Sequence, residues 1–376
     1  MRVKNFIVDV VLLAFFCIAS HAQKIAFIGD IHVSDSLTYG YFQKTIVKAL
    51  VDDKDNLRYC IFLGDLVNET PEWIPAVSDN LKLFNSKAVM GNHDFDSRGR
   101  EADNAIWASC FGSDNYCFKV GSCHFVGVND AKGIYPEEAF ELVAAVPSNA
   151  RLVLCQHVPI NTIENGKRMM ELLKSRKGRT LIMSAHEHYT TKYPLTDKIS
   201  ECIVGSVCTC WWRGITAENG LPYSPSQCGS PRNYYVLDIS GGKLNPEFKP
   251  IEVKSQMRLT IVDKNEAQLL KGIEEGTAIV NVFGASKDAV VTVRIDSDKP
   301  FKAEAAECMD PSVALLKHTT DNAGYKHKDS RRVVYLRRNS PHLWKFSIPT
   351  LGEGPHKITI HATDDFGLDV KETFVF

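Results

Sequence analysis

Five times between Lys24 and His188 a short apolar run gives way, within three residues, to Asp, Asn or His. The runs are KIAFIG (24–29), RYCIFLG (58–64), KAVMG (87–91), RLVLCQ (151–156) and TLIMSA (180–185). They end in Gly29-Asp30-Ile31-His32, Gly64-Asp65-Leu66-Val67-Asn68, Gly91-Asn92-His93-Asp94, Cys155-Gln156-His157-Val158 and Ala185-His186-Glu187-His188. A sixth run, CHFVGVN, covers 123–129. Runs this short and rich in branched side chains predict strands. Between the first two, Phe42, Ile46, Val47 and Leu50 recur at helical spacing over 39–52, and Pro136-Glu137-Glu138 opens a second helix. Strands alternating with helices imply an α/β architecture, whose strand C-terminal ends share one crevice.

Beyond Lys249 the pattern changes. GTAIVNVFG, AVVTVRIDS, HLWKFSIP, HKITIHATD and KETFVF are β-rich runs separated by Gly, Pro, Asp and Asn. No comparable helical stretch is expected past Gly272, so 250–376 reads as a small β-sandwich. Residues 23–249 form the first domain. Residues 1–22 read as a cleaved export signal, with Arg2 and Lys4, the apolar stretch Val10 to Ala19, and Ser20-His21-Ala22 before the cut. A periplasmic or extracellular location is therefore expected. No apolar run reaches eighteen residues, so no transmembrane anchor is expected. The net charge of −1 argues against binding a nucleic-acid duplex, which draws its affinity from excess Lys and Arg. Cys60 and Cys155 sit inside strand runs as small hydrophobes. Cys202, Cys208, Cys210 and Cys228 crowd a loop-rich stretch and are the disulfide candidates of an exported chain.

The polar stretches are weak signals one at a time. With 12 histidines in 376 residues, an H-x-H pair arises by chance about 0.4 times. Their shared strand-then-ligand context is the signal. Asp30, Asp65, Asn92 and the histidines 32, 157, 186 and 188 form a mixed nitrogen and oxygen donor set without thiolate. Such a set suits Mn, Fe or Zn rather than Ca or Mg. Seven donors exceed the needs of one tetrahedral ion but suffice for two ions sharing a carboxylate. Two ions at about 3.5–4 Å generate hydroxide and clamp both oxygens of an in-line displacement at phosphorus. Reading Asp30, Asp65 and Asn92 as helix caps leaves the histidines unexplained.

The order D-x-H, GDxxx, GNHD, a lone His and then HxH resembles the calcineurin-like metallophosphoesterase superfamily over roughly residues 24–240. The resemblance implies a four-layer αββα sandwich, followed here by a smaller all-β sandwich of Ig or fibronectin type. It implies one metal on Asp30, His32, Asp65 and His188, and a second on Asp65, Asn92, His157 and His186. His93 is left to protonate the leaving oxygen or contact the phosphate. The second half is similar to a bacterial exported branch with a Trp-Trp-x-Gly loop, here Cys210-Trp211-Trp212-Arg213-Gly214, and with His342–Trp344 and His361–Gly367 in the β-domain. Trp211 and Trp212 are candidates for substrate contact or for domain packing, and Arg213 for a phosphate oxygen.

Two positions depart from the family pattern. Ala185 stands where Gly is usual before H-x-H, which a negative φ would tolerate. Asn68 stands where purple acid phosphatases have a Tyr ligand and protein phosphatases an Asp beside the catalytic histidine. Asn68 can accept a hydrogen bond from His93 but brings no charge. The expected activity is hydrolysis of a small-molecule, glycan or lipid phosphate ester, mono- or diester, by a metal-bridging hydroxide. The alternative is a surface binding module with a vestigial metal site, which predicts lost ligands; all seven positions are present.

Overall fold

The computed structural model describes residues 23–95, 101–322, 333, 335, 336 and 338–376. The expected signal over 1–22 lies outside the described residues, as do Asp96 and His327. All six expected runs form strands: β1 (Lys24–Ile28), β2 (Leu57–Leu63), β3 (Ser86–Val89), then β4 (Tyr116–Val120), β5 (Cys123–Gly127), β6 (Arg151–Cys155), β7 (Thr180–Ser184), β8 (Thr191–Pro194) and β9 (Ile199–Ile203). Of these, β4, β8 and β9 lie outside the six expected runs.

They build two mixed sheets. In the first, β1, β2 and β3 run parallel, and Asn233–Asp238 and Pro246–Pro250 return antiparallel on the far side of β1. The second has the order β4-β5-β6-β7-β9-β8, with β5, β6, β7 and β9 parallel. Side-chain parity shows how the layers stack. Ile25, Phe27, Ile61 and Leu63 meet Phe125, Val153, Leu181 and Met183 between the sheets. The alternate residues Ala26, Ile28, Cys60 and Phe62 pack outward on Phe42, Ile46, Leu50 and Leu81. Leu152, Leu154 and Ile182 do the same against Phe140, Val143, Met169 and Leu173. Strands buried on both faces favour apolar residues at successive inner positions, which is why they read as near-continuous runs. Full burial of each such side chain contributes about 1.5–3 kcal/mol. The result is an αββα sandwich.

The expected helix over 39–52 forms within the helical segment Ser36–Asp53, which Asp35 caps by accepting from the Thr38 backbone N–H at 2.8 Å. Helix Glu137–Ala145 starts directly after Pro136.

Two further sheets, both all-antiparallel, follow. One has the order Met257–Ile261, Thr277–Val282, Leu343–Ser347, Glu304–Ala305; the other Phe301–Lys302, Val290–Ile295, Lys357–Thr363, Asp369–Val375. Val280, Val282, Trp344 and Phe346 face Val291, Val293, Ile358 and Ile360 across the sandwich. One expectation fails. Pro311–Asn322 is a twelve-residue helix well past Gly272. Asp310 starts it by accepting from the N–H groups of Ser312 at 3.0 Å and Val313 at 3.3 Å. Few of its side chains are buried, among them Val313, Ala314 and Thr320, too few to print an apolar stripe on the sequence. Among the described residues no helix is long and apolar enough to cross a membrane.

Candidate metal centre

Every parallel strand of both sheets ends at one rim, and the loops there are stitched across the sheets. Val207 and Cys208, beyond β9, donate to the carbonyls of Gly29 and Asp30 at 3.1 Å. His157 Nδ1, beyond β6, lies 2.7 Å from the Leu63 carbonyl of β2. Turning strand ends inward requires unusual backbone. Asp30, His32, Asp65, His186 and His188 have φ of 51°, 51°, 52°, 69° and 51°. Left-handed non-glycine residues cost about 1–3 kcal/mol each and persist where the surroundings over-determine them. Two glycines clear the space. A Cβ on Gly64, itself at φ +88°, would lie 2.6 Å from His157 Nδ1, and one on Gly91 would lie 2.3 Å from Asp65 N and Oδ1. Ala185 has a negative φ, and its methyl group is accommodated by Gly29, whose own Cβ would come within 2.9 Å of it.

The seven candidate ligands converge. His32 Nε2 stands 3.1 Å from His188 Nε2, 3.4 Å from Asp65 Oδ2 and 4.0 Å from Asp30 Oδ1. His188 Nε2 is 3.7 Å from Asp30 Oδ1. On the other side His157 Nε2 stands 3.2 Å from Asp65 Oδ2, 3.0 Å from Asn92 Oδ1 and 3.1 Å from His186 Nδ1. Three ligand groups result, Asp30-His32-Asp65, Asp65-His157-His186 and His32-His188-Cys208, and Asp65 is common to the first two. The carbonyls of Leu63 and Thr209 can only accept, so His157 and His188 donate to them from Nδ1, each at 2.7 Å. In the neutral ring Nε2 then turns its lone pair toward the centre, the arrangement of a metal-ligating histidine. Asp30 is fully buried, and its Oδ2 has no hydrogen-bond partner among the described residues. Converging lone pairs and an orphaned carboxylate oxygen fit a pair of cations.

The electrostatics agree. Burial holds Asp30 well above the ordinary carboxylate range. Burial also opposes the charge on Asp65, yet His157 and His32 keep it below that range. Burial would lower His157, but Asp65 lifts it to about 10; burial, with His186 and His157 beside it, takes His188 down to about 4 against its bond to Thr209 and the charge of Asp65. The place where Asp65 meets His157 therefore demands positive charge. Two more buried carboxylates hold the frame. Asp94 accepts from the N–H of Val67 at 3.0 Å and Gly91 at 2.7 Å, and Asp130 from those of His157 at 2.8 Å and Val158 at 2.7 Å.

His93 stands beside this group, half-buried, its ring 5.0 Å from that of His32 and its N–H donated to Asp65 Oδ1 at 2.8 Å. The acidic neighbour of its Nδ1 is Glu69 Oε1 at 3.6 Å, whereas the backbone N–H of Asn68 bonds to Val33. No local sequence pattern marks Glu69, whose backbone is left-handed with φ of 59°.

The two tryptophans divide. Trp211 stacks on the His188 ring at 4.2 Å and 24°, at the edge of the centre. Trp212 is buried and donates Nε1–H to the Ile31 carbonyl at 2.6 Å, between two ligands, with Arg232 over its ring. Of the two roles expected of Trp212, its burial and this bond favour packing. Arg213 is half-buried, its N–H bonded to the Cys210 carbonyl. No disulfide joins any of the ten described cysteines, the four bridge candidates included.

Residues 23–190 match the family model described as calcineurin-like phosphoesterase, and residues 201–369 the one described as C terminal of calcineurin-like phosphoesterase. Among solved structures the chain is similar to a dimetal phosphatase from Danio rerio, with 11% identity, a TM-score of 0.40, and coverage of 50% of this chain and 88% of that one. It is also similar to a purple acid phosphatase from yellow lupin (Lupinus luteus) seeds, with 12% identity, a TM-score of 0.42, and coverage of 61% and 51%. A phosphoesterase from E. coli, Yfce, gives 15% identity, a TM-score of 0.29, and coverage of 57% and 88%. No curated protein matches the chain.

Proposed function

Because the chain belongs to the calcineurin-like phosphoesterase family, we propose that it is an exported two-metal hydrolase of phosphate mono- or diesters. The observation that carries this reading is Asp65, whose Oδ2 lies within 3.4 Å of a histidine from each group it joins. One metal falls to Asp30, His32, Asp65 and His188, the other to Asp65, Asn92, His157 and His186. Two transition ions of the Mn, Fe or Zn type supply, when bound, a hydroxide nucleophile and neutralisation of charge on the phosphoryl oxygens.

The rest is the work of side chains. His93 is anchored to Asp65 through its backbone and free to turn its ring toward the leaving oxygen, to which it delivers a proton. Glu69, whose Oε1 lies 3.6 Å from His93 Nδ1, flanks the ring. Trp211 walls the site beside His188, and the half-buried Arg213 in the same loop contacts a phosphate oxygen. The substrate is a small-molecule, glycan or lipid phosphate ester met outside the cytoplasm, and residues 250–376 act as a separate sandwich packed on the catalytic unit.

Rates on p-nitrophenyl phosphate and bis(p-nitrophenyl) phosphate, after loading with Mn, Zn or Fe in turn, test the reading. Metal-dependent cleavage of at least one is expected, the faster one setting the class. Metal-loaded protein inert toward both would refute it.

A further inference from the structure

We propose that Arg338, from the C-terminal sandwich, is a positioning residue of the metal centre, holding the His186–His188 loop through Glu187. The inference rests on the two-metal reading above. His186 and His188 are both left-handed, and the strained turn throws Glu187 outward as the imidazoles face in. Arg338 Nη1 donates to Glu187 Oε2 at 2.8 Å, and its guanidinium lies 4.5 Å over the ring of Tyr189. One side chain thus grips the residues on either side of His188.

Neighbouring contacts point to the same loop. Gln227 donates its N–H to the His188 carbonyl at 2.9 Å while its Oε1 accepts from the Leu336 N–H at 3.1 Å. Tyr335 donates its hydroxyl to the Pro225 carbonyl at 2.8 Å. Trp211, stacked on His188, packs on the cluster formed by Val313, Val333 and Tyr335. Part of the constraint on this strained ligand loop thus comes from outside the αββα unit, through Arg338. Partners that orient metal ligands typically change metal affinity 10–100-fold. A half-exposed ion pair adds little to global stability, the two side chains here being 34% and 21% exposed. The effect on metal is therefore separable from any effect on folding.

The test is competition for Zn²⁺ between the full chain and a chromophoric chelator, with melting temperature measured alongside. Arg338→Met and Glu187→Gln are each expected to weaken the more labile site roughly 10–100-fold with little change in melting temperature. The double variant should lose no more than either single one. Arg338→Lys should recover part of the loss, since it keeps the charge but not the planar fork. Zn²⁺ affinity of Arg338→Met within twofold of the unaltered chain, or additive losses in the double variant, would overturn the inference alone. An unaltered chain that takes up no Zn²⁺ would overturn the reading beneath it.

Discussion

Two glycine-to-alanine substitutions should have opposite signs, and the difference measures how tightly the metal centre is built. At Gly64 the chain runs at φ +88°, and a Cβ would lie 2.6 Å from His157 Nδ1 and 2.8 Å from both Gly91 N and Gly91 Cα. The left-handed backbone costs alanine about 1–2 kcal/mol. Overpacking against atoms that cannot yield adds about 1–3 kcal/mol. Loss of unfolded-state freedom returns about 0.4–1 kcal/mol. Gly64→Ala should therefore destabilise by roughly 2–4 kcal/mol, the central part of the summed ranges. It should also weaken metal binding, because the clash falls on the nitrogen that His157 donates to Leu63. At Gly40, inside helix Ser36–Phe42, a Cβ meets nothing within 4 Å. Gly40→Ala should stabilise by about 0.5–1 kcal/mol. Thermal melts and urea titrations read both. At about 2–4 °C per kcal/mol, Gly64→Ala should melt roughly 5–15 °C lower and Gly40→Ala a few degrees higher. Equal melting temperatures for the two variants would refute the packing described around His157.

His93→Ala should retain its metals, measured by elemental analysis, while kcat falls about 10²–10⁴-fold, the usual contribution of general acid catalysis; unchanged turnover would remove its assigned role. Asp310, fully buried, anchors the helix at Pro311 and pairs with Arg258 at 2.6 Å. Burial opposes its charge, but Arg258, Ser312 and Asn281 hold it below the ordinary carboxylate range. A depressed folded value means stabilisation that is present above the unfolded pKa of about 3.9 and is lost as pH falls through the folded one. Asp310→Asn should thus cost roughly 1.5–3 kcal/mol at pH 7 and flatten the decline of stability below pH 4, read by urea titration across that range. A decline as steep as that of the unaltered chain would contradict the pairing.

Much of the catalytic unit was legible because its strands are buried on both faces and its ligands follow them directly. Ile25–Ile28 of β1 and Leu181–Met183 of β7 are buried and apolar without a break, so the runs announced themselves. Asp30, His32, Asp65, Asn92, His157, His186 and His188 then fell at strand ends, where the fold brings such groups together. What stayed hidden depends on backbone turns and distant pairings. Adjacent tryptophans take opposite roles because residues 211 and 212 are both left-handed, with φ of 49° and 55°. Glu69 comes within 3.6 Å of His93 Nδ1 at one such turn. The helix Pro311–Asn322 carries too few buried side chains to show a helical period. Arg338 sits 151 residues from the glutamate it holds, and no local pattern records that pairing.

Counting metal ions per chain tests the central claim most directly. The unaltered protein should bind two transition-metal ions, Asn92→Ala one, and Asp65→Ala at most one, with activity lost in both variants, because Asp65 serves both metals and Asn92 a single one. Two tightly held ions in Asp65→Ala would contradict the shared carboxylate and with it the proposed centre.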